Sequence, residues 1–126
     1  VERTNTILIV DDYADDRRLV RKLLEKHNYL VEEAGTWKEA LIMIKDKDVD
    51  LLILDLKMPE MDGYELLGVI RRDSSDKKIP VIIYSSMPKN KEEIDMHKPD
   101  AYVNKYSSPT QLLNEVASLL NKKGPS

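Results

Sequence analysis

Leu51-Leu52-Ile53-Leu54-Asp55-Leu56-Lys57-Met58-Pro59-Glu60-Met61-Asp62-Gly63 is the stretch on which the fold turns. Its first four residues are apolar with no polar alternation, the pattern of a strand covered on both faces. A carboxylate closes the run. A turn rich in Pro and Gly follows, and Asp62 with Glu65 has the spacing of a capping box at a helix start. Working outward, the same order of strand, turn and helix recurs. Ile7-Leu8-Ile9-Val10, the weaker Tyr29-Leu30-Val31, Val81-Ile82-Ile83-Tyr84 and Ala101-Tyr102-Val103 read as further strands. Between them lie stripes of helical period: Leu19, Val20, Leu23 and Leu24; Trp37, Ala40, Leu41 and Ile44; Leu66, Val69 and Ile70; and Leu112, Leu113, Val116, Leu119 and Leu120. Thr36 with Glu39 and Ser108 with Gln111 repeat the capping spacing, and Pro109 falls at a first helical position. The charged stretch from Pro88 to His97, with only Ile94 and Met96 apolar near its end, predicts a weakly anchored helix. Five β-α repeats make an α/β fold with a doubly wound parallel sheet.

The chain has 126 residues, 41% of them apolar and 34% charged, which suits one globular domain over 1–126 with its core at about 6–120. Residues 121–126, with Gly124-Pro125, read as a tail or the start of a linker. The formal net charge is −3 and the pI is near 5.4, which argues against nucleic-acid binding through a basic face. With no cysteine, disulfides, thiol catalysis and cysteine-ligated zinc are excluded. His27 and His97 lie far apart in sequence, offer no zinc-ligand spacing and read as surface or boundary residues. No apolar run approaches the roughly 20 residues of a membrane span, and Val1 to Asn5 is polar, so a cytoplasmic location is expected.

In an open parallel sheet, ligands bind beyond the carboxyl ends of the strands, near the point where strand order reverses. Asp11 and Asp12 follow the first run, Asp55 the third, Ser85 and Ser86 the fourth, and Lys105 the fifth. Three carboxylates brought together disfavour one another's ionised form, and a divalent cation removes that conflict. Oxygen donors without His or Cys suit Mg2+. Lys105 could then pair with one phosphoryl oxygen and Ser85 donate a hydrogen bond to another.

Taken together, Ile7 to Asp12, Leu54 to Gly63, Ile79 to Ser85 and Ala101 to Lys105 resemble the receiver domain of two-component response regulators, over about Thr6 to Leu120. The resemblance implies a (βα)5 flavodoxin-like fold with strand order 2-1-3-4-5. It also implies a role for each matching residue. Asp55 would be the phosphoacceptor. Asp12 and Asp55 would bind Mg2+ directly, Asp11 through a water, and the Lys57 backbone carbonyl would add a ligand. Ser85 and Lys105 would contact the phosphoryl group. Ser85 and Tyr102 would be the switch pair, with Tyr102 matching an aromatic that rotates inward on activation. The phosphoryl donor would be a sensor histidine kinase or a histidine phosphotransfer protein. The face of the fourth helix, fifth strand and fifth helix would then change shape. The protein would not be an enzyme in the ordinary sense, and its output target is not named by the sequence.

Some positions depart from the family pattern. Ser86 replaces a usual Ala or Gly, which narrows access to the phosphoryl group. Lys57 is expected to project over the open face and, like Ser86, to tune the phosphoryl lifetime. Trp37 replaces a frequent Gly and is expected to pack on its own helix. Lys98-Pro99-Asp100 replaces a turn rich in Gly and Ala. Tyr106 replaces the Pro that usually follows Lys105 through a cis bond. A cis bond is expected here as well, imposed by the site, although without Pro it costs roughly 2.5–4 kcal/mol; the alternative is a trans bond with Lys105 reaching through its flexible stem. Two other functions are compatible with the residues: a receiver-fold interaction module that never takes phosphate, and a magnesium-dependent aspartyl-phosphate phosphatase. The phosphatase usually needs an Asp two residues past the nucleophile, where this chain has Lys57.

Overall fold

The computed structural model describes residues 4–73 and 78–122. Five strands alternate with five helices: β1 Thr6–Val10, α1 Ala14–Lys26, β2 Leu30–Ala34, α2 Trp37–Asp46, β3 Leu51–Leu54, α3 Gly63–Asp73, β4 Val81–Ser85, α4 Lys91–His97, β5 Ala101–Asn104 and α5 Pro109–Lys122. All pairings are parallel, in the order β2-β1-β3-β4-β5. The doubly wound fold expected from the sequence is therefore the observed one.

Period-two alternation inside the apolar runs feeds two cores. Leu8, Val10, Leu52, Leu54, Val81 and Ile83 point to one face, where Ala40 of α2 and Leu66, Leu67 and Ile70 of α3 cover them. Ile7, Ile9, Leu51, Ile53, Ile82 and Val103 point to the other, against Val20 and Leu24 of α1 and Leu112 and Val116 of α5. A run buried on both sides has no polar face to show, which is why these strands read as continuous hydrophobe.

The capping boxes differ in how they close. At Asp62 the exchange is reciprocal: Glu65 N donates to Asp62 Oδ1 at 2.9 Å and Asp62 N to Glu65 Oε1 at 3.2 Å. At Thr36, Oγ1 accepts from Glu39 N at 3.1 Å, but Glu39 Oε1 takes the Gly35 N–H instead. Before α5, Gln111 N donates to the Ser108 backbone carbonyl at 3.0 Å.

Several expectations are corrected. Leu19 is exposed rather than part of the α1 stripe, because the buried side of α1 is narrow and is filled by Val20 and Leu24. β2 extends past Val31 through Glu32 and Glu33 to Ala34; Glu33 is tolerated there because Arg17 and Arg21 hold it at 3.0 and 2.8 Å. Burial raises the Glu33 pKa, but the Arg21 hydrogen bond outweighs it, and with Arg17 holds the carboxyl below its ordinary range. α5 runs to Lys122, two residues into the segment expected as a tail or linker start, while Gly124-Pro125 lies outside the described residues. Trp37 packs on the core of the α2–α3 face rather than only on its own helix. The Lys105–Tyr106 bond is trans, since no described peptide bond is cis. Its loop is closed by an Asn104 side chain that accepts the Tyr106 N–H at 2.7 Å and by Ser107 bonds to the Asn104 carbonyl. No cost of a non-proline cis bond is therefore incurred.

Candidate functional site

Register alone brings the carboxylates together. Val10 is paired with Leu54 on one side and Ala34 on the other, so the chain leaves β1 and β3 at the same level and Asp11 and Asp55 emerge side by side. Asp11 and Asp55 are buried and Asp12 is exposed; a carboxylate oxygen from each lies within 4.8 Å of the others. An all-oxygen, open-sided set of this size fits a small hard divalent cation that keeps waters.

Around the acids, the backbone is tightly held. Asp55 N donates to Val10 O at 2.9 Å, and the Leu56 and Lys57 amides donate to the Asp55 carboxylate. Asp11 Oδ1 accepts from Tyr13 N at 2.9 Å, and the Asp11 carbonyl accepts from Arg17 at 2.7 Å. Lys105, whose own N–H donates to Ser85 O at 2.9 Å, crosses to the acids from the end of β5. Its Nζ stands 2.7 Å from Asp11 Oδ2, 2.8 Å from Asp16 Oδ2 and 3.5 Å from Asp55 Oδ2, above the Tyr84 ring at 5.9 Å.

The electrostatics follow. Burial first, and the Asp11 charge second, push the Asp55 carboxyl up to about 6, against the opposing pull of Lys105 and the two amides. Burial works to lower the Lys105 ammonium. Hydrogen bonds to Asp11 and Asp16 and the charges of Asp11 and Asp55 outweigh it and hold Lys105 above its usual range.

Ser85 is buried, and its Oγ accepts the Met87 N–H at 3.1 Å. The Met87 carbonyl in turn accepts the Tyr102 hydroxyl at 2.6 Å. Tyr102 is half-buried and packs against the core of the α2–α3 face, with its hydroxyl on the backbone carbonyls of Met87 and Pro88. Lys57 and Ser86 are exposed at the mouth. Lys57, Met58, Pro59, Tyr64, Met87 and Pro88 line an adjoining groove of about 600 Å3. His97, expected at the surface or its boundary, is half-buried: it stacks on Tyr64 with centroids 5.1 Å apart and pairs with Glu93 at 3.2 Å.

The sequence-predicted residues Asp11, Asp12, Asp55, Ser85 and Lys105 all converge at one end of the sheet. Asp16 was missed. Its signal was a second acidic pair, Asp15-Asp16, one helical turn past Asp11-Asp12, which reads by default as complementing the dipole of α1.

Comparison with known proteins agrees with this geometry. The response regulator receiver domain family matches residues 7–117. The transcriptional regulatory protein ResD of Bacillus subtilis is 34% identical over 126 residues, which cover 97% of this chain and 51% of ResD. This chain thus spans about half the length of that relative. Among solved structures, the signal receiver domain of a signal transduction histidine kinase from Syntrophus aciditrophicus superposes with a TM-score of 0.89 at 26% identity, covering 98% of this chain and 95% of that one. The response regulator TrrA of Thermotoga maritima, solved in complex with Mg2+ and BeF, gives 0.83 at 29% identity and covers 92% and 99%. Fold, strand-end acids and sequence likeness coincide over nearly the whole chain, which belongs to the response regulator receiver domain family.

Proposed function

We propose that this receiver takes a phosphoryl group from a phosphohistidine partner, a sensor histidine kinase or a histidine phosphotransfer protein, onto Asp55. The observation that carries the reading is the convergence of the Asp55 carboxylate with those of Asp11 and Asp12 on one side and the Lys105 ammonium on the other.

An Asp55 carboxylate oxygen attacks phosphorus in line. The new P–O bond forms as the P–N bond breaks, and its electron pair leaves on the imidazole nitrogen. Asp12 and Asp55 would hold Mg2+ directly, Asp11 through a water and the Lys57 carbonyl as a further ligand. When bound, Mg2+ neutralises charge on the phosphoryl oxygens. Lys105 supplies a fixed positive charge, and Ser85, whose Oγ accepts from Met87 N, keeps its own O–H to donate to a phosphoryl oxygen. The protein contributes position and charge, and the high-energy bond comes from the partner.

The readout runs through a chain of hydrogen bonds. Ser85 holds Met87, and Met87 holds Tyr102. Drawing the Ser85 hydroxyl toward the phosphoryl group loosens the Met87 N–H and shifts the carbonyl on which Tyr102 is seated. The α4–β5–α5 face then repopulates between two arrangements, driven only by the contacts that differ between them.

Incubation with Mg2+ and a small phosphodonor, followed by intact mass, tests this. Gain of one phosphate that Asp55→Asn abolishes is expected. No gain leaves an interaction module, and continuous turnover of the donor without a retained phosphate would indicate a phosphatase.

A further inference from the structure

Asp16 has no part in the chemistry just described, yet it makes one of the shortest polar contacts at the site. An ammonium has three N–H donors. Those of Lys105 face three carboxylates, and the two short contacts, 2.7 and 2.8 Å, go to Asp11 and Asp16; Asp55 stands further away at 3.5 Å. Asp16 comes from the first turn of α1 and Lys105 from the loop after β5, so the pair ties two elements across the mouth of the site. Neighbouring Asp15 is different: it is two-thirds exposed and spent on Arg18 at 3.3 Å.

We propose that Asp16 is a positioning residue that holds Lys105 on the α1 side and thereby slows phosphorylation of Asp55. The inference rests on the reading of Asp55 as phosphoacceptor. A contact made in the resting state and weakened when the phosphoryl group arrives stabilises the ground state, not the transition state. Asp16 also sets a further negative charge beside the one ammonium that must face the incoming phosphoryl oxygens, so it offsets part of the attraction that ammonium can offer. The Asp16 side chain is one-third exposed, which keeps the pair loose enough to open at each transfer.

Asp16→Asn keeps the shape of the side chain and removes its charge. Phosphorylation by acetyl phosphate with Mg2+, followed by intact mass, should run about 1.5- to fivefold faster in this variant, the scale of a partly exposed charge contact. Asp16→Glu should return the slow rate, and Asp15→Asn should leave it unchanged. In a Lys105→Met background the gain from Asp16→Asn should fall to that of Asp15→Asn. A second measurement needs no metal and no phosphate. The Lys105 ammonium should show a slowly exchanging 15N resonance in the wild type and faster exchange in Asp16→Asn.

An unchanged rate in Asp16→Asn, an equal gain with and without Lys105, or an ammonium resonance indifferent to Asp16 would each overturn the role of Asp16 and leave Asp55 as acceptor. Failure of the wild type to take phosphate would overturn the functional reading itself, and the proposal with it.

Discussion

A Cβ built on Gly63 stands 2.4 Å from the backbone carbonyl oxygen of Asp55 and 3.0 Å from Leu56 Cα. The start of α3 therefore lies directly against the backbone that carries the Asp55 carboxylate, and Gly63 N donates to Leu56 O at 3.0 Å to keep it there. The obstacle to a side chain is backbone, which cannot step aside as a flexible side chain would. Gly63→Ala should lower stability by roughly 1–3 kcal/mol, as overpacking does, and slow phosphorylation by displacing Asp55. Urea midpoints and phosphorylation rates check both; a variant as stable and as fast as wild type would show that α3 can retreat freely.

Asp12 is the exposed member of the acid set, and its removal leaves no buried partner stranded. Asp12→Ala should change stability by less than about 0.5 kcal/mol, as surface substitutions do, while abolishing Mg2+-dependent phosphorylation. It should also abolish the rise in melting temperature that Mg2+ gives the wild type by linkage. Normal phosphorylation of the variant would remove Asp12 from the metal site.

Asp55 carries a prediction about pH in metal-free protein. Its carboxyl is raised from 3.8 to about 6, so the folded state binds this proton more readily than the unfolded state. The stability it contributes is fully present below its ordinary value and is lost as pH rises through about 6. Asp55→Asn should accordingly be more stable than wild type at neutral pH, with the gap closing under acid conditions. Urea unfolding at the two pH values decides it, and a gap that widens in acid would reverse the sign.

Lys57 is exposed beside the Asp55 backbone and borders the groove. Obstruction of the approaching water by its side chain is expected to prolong the phosphoryl lifetime. Lys57→Ala should lose phosphate several-fold faster, measured from isolated phosphoprotein by intact mass over time. An unchanged lifetime would mean that the side chain merely stands in solvent.

The parts of the fold that were legible are those where burial is two-sided. Leu51–Leu54 matches β3 residue for residue, because no polar side chain could occupy any of its positions. β2 was under-read at Glu32 and Glu33, since it is an edge strand and its Glu33 is carried by arginines twelve and sixteen residues away. Asp11, Asp12 and Asp55 were legible because parallel register turns strand ends into a site. Asp16 was not, because its partner is 89 residues distant and its local spacing has an ordinary helical explanation. The isomer of the Lys105–Tyr106 bond was misread for a related reason. It depended on the Asn104 side chain closing the loop, and resemblance to sequences with Pro carries no information about that.

α4 has no fully buried residue; only Glu93, Ile94 and His97 are half-buried. Displacing a helix usually forfeits contact area, and the penalty grows with every buried methylene, by about 0.8 kcal/mol each. Here that penalty is confined to those three side chains. The position of the helix rests on a short inventory: the Asn90 cap on Glu93, the Tyr64–His97 stack, and the left-handed Lys98 that ends it. Such an element behaves as a sensitive balance rather than a stiff lever. On the proposed route through Ser85, Met87 and Tyr102, each 1.4 kcal/mol delivered would move its populations by a factor of ten.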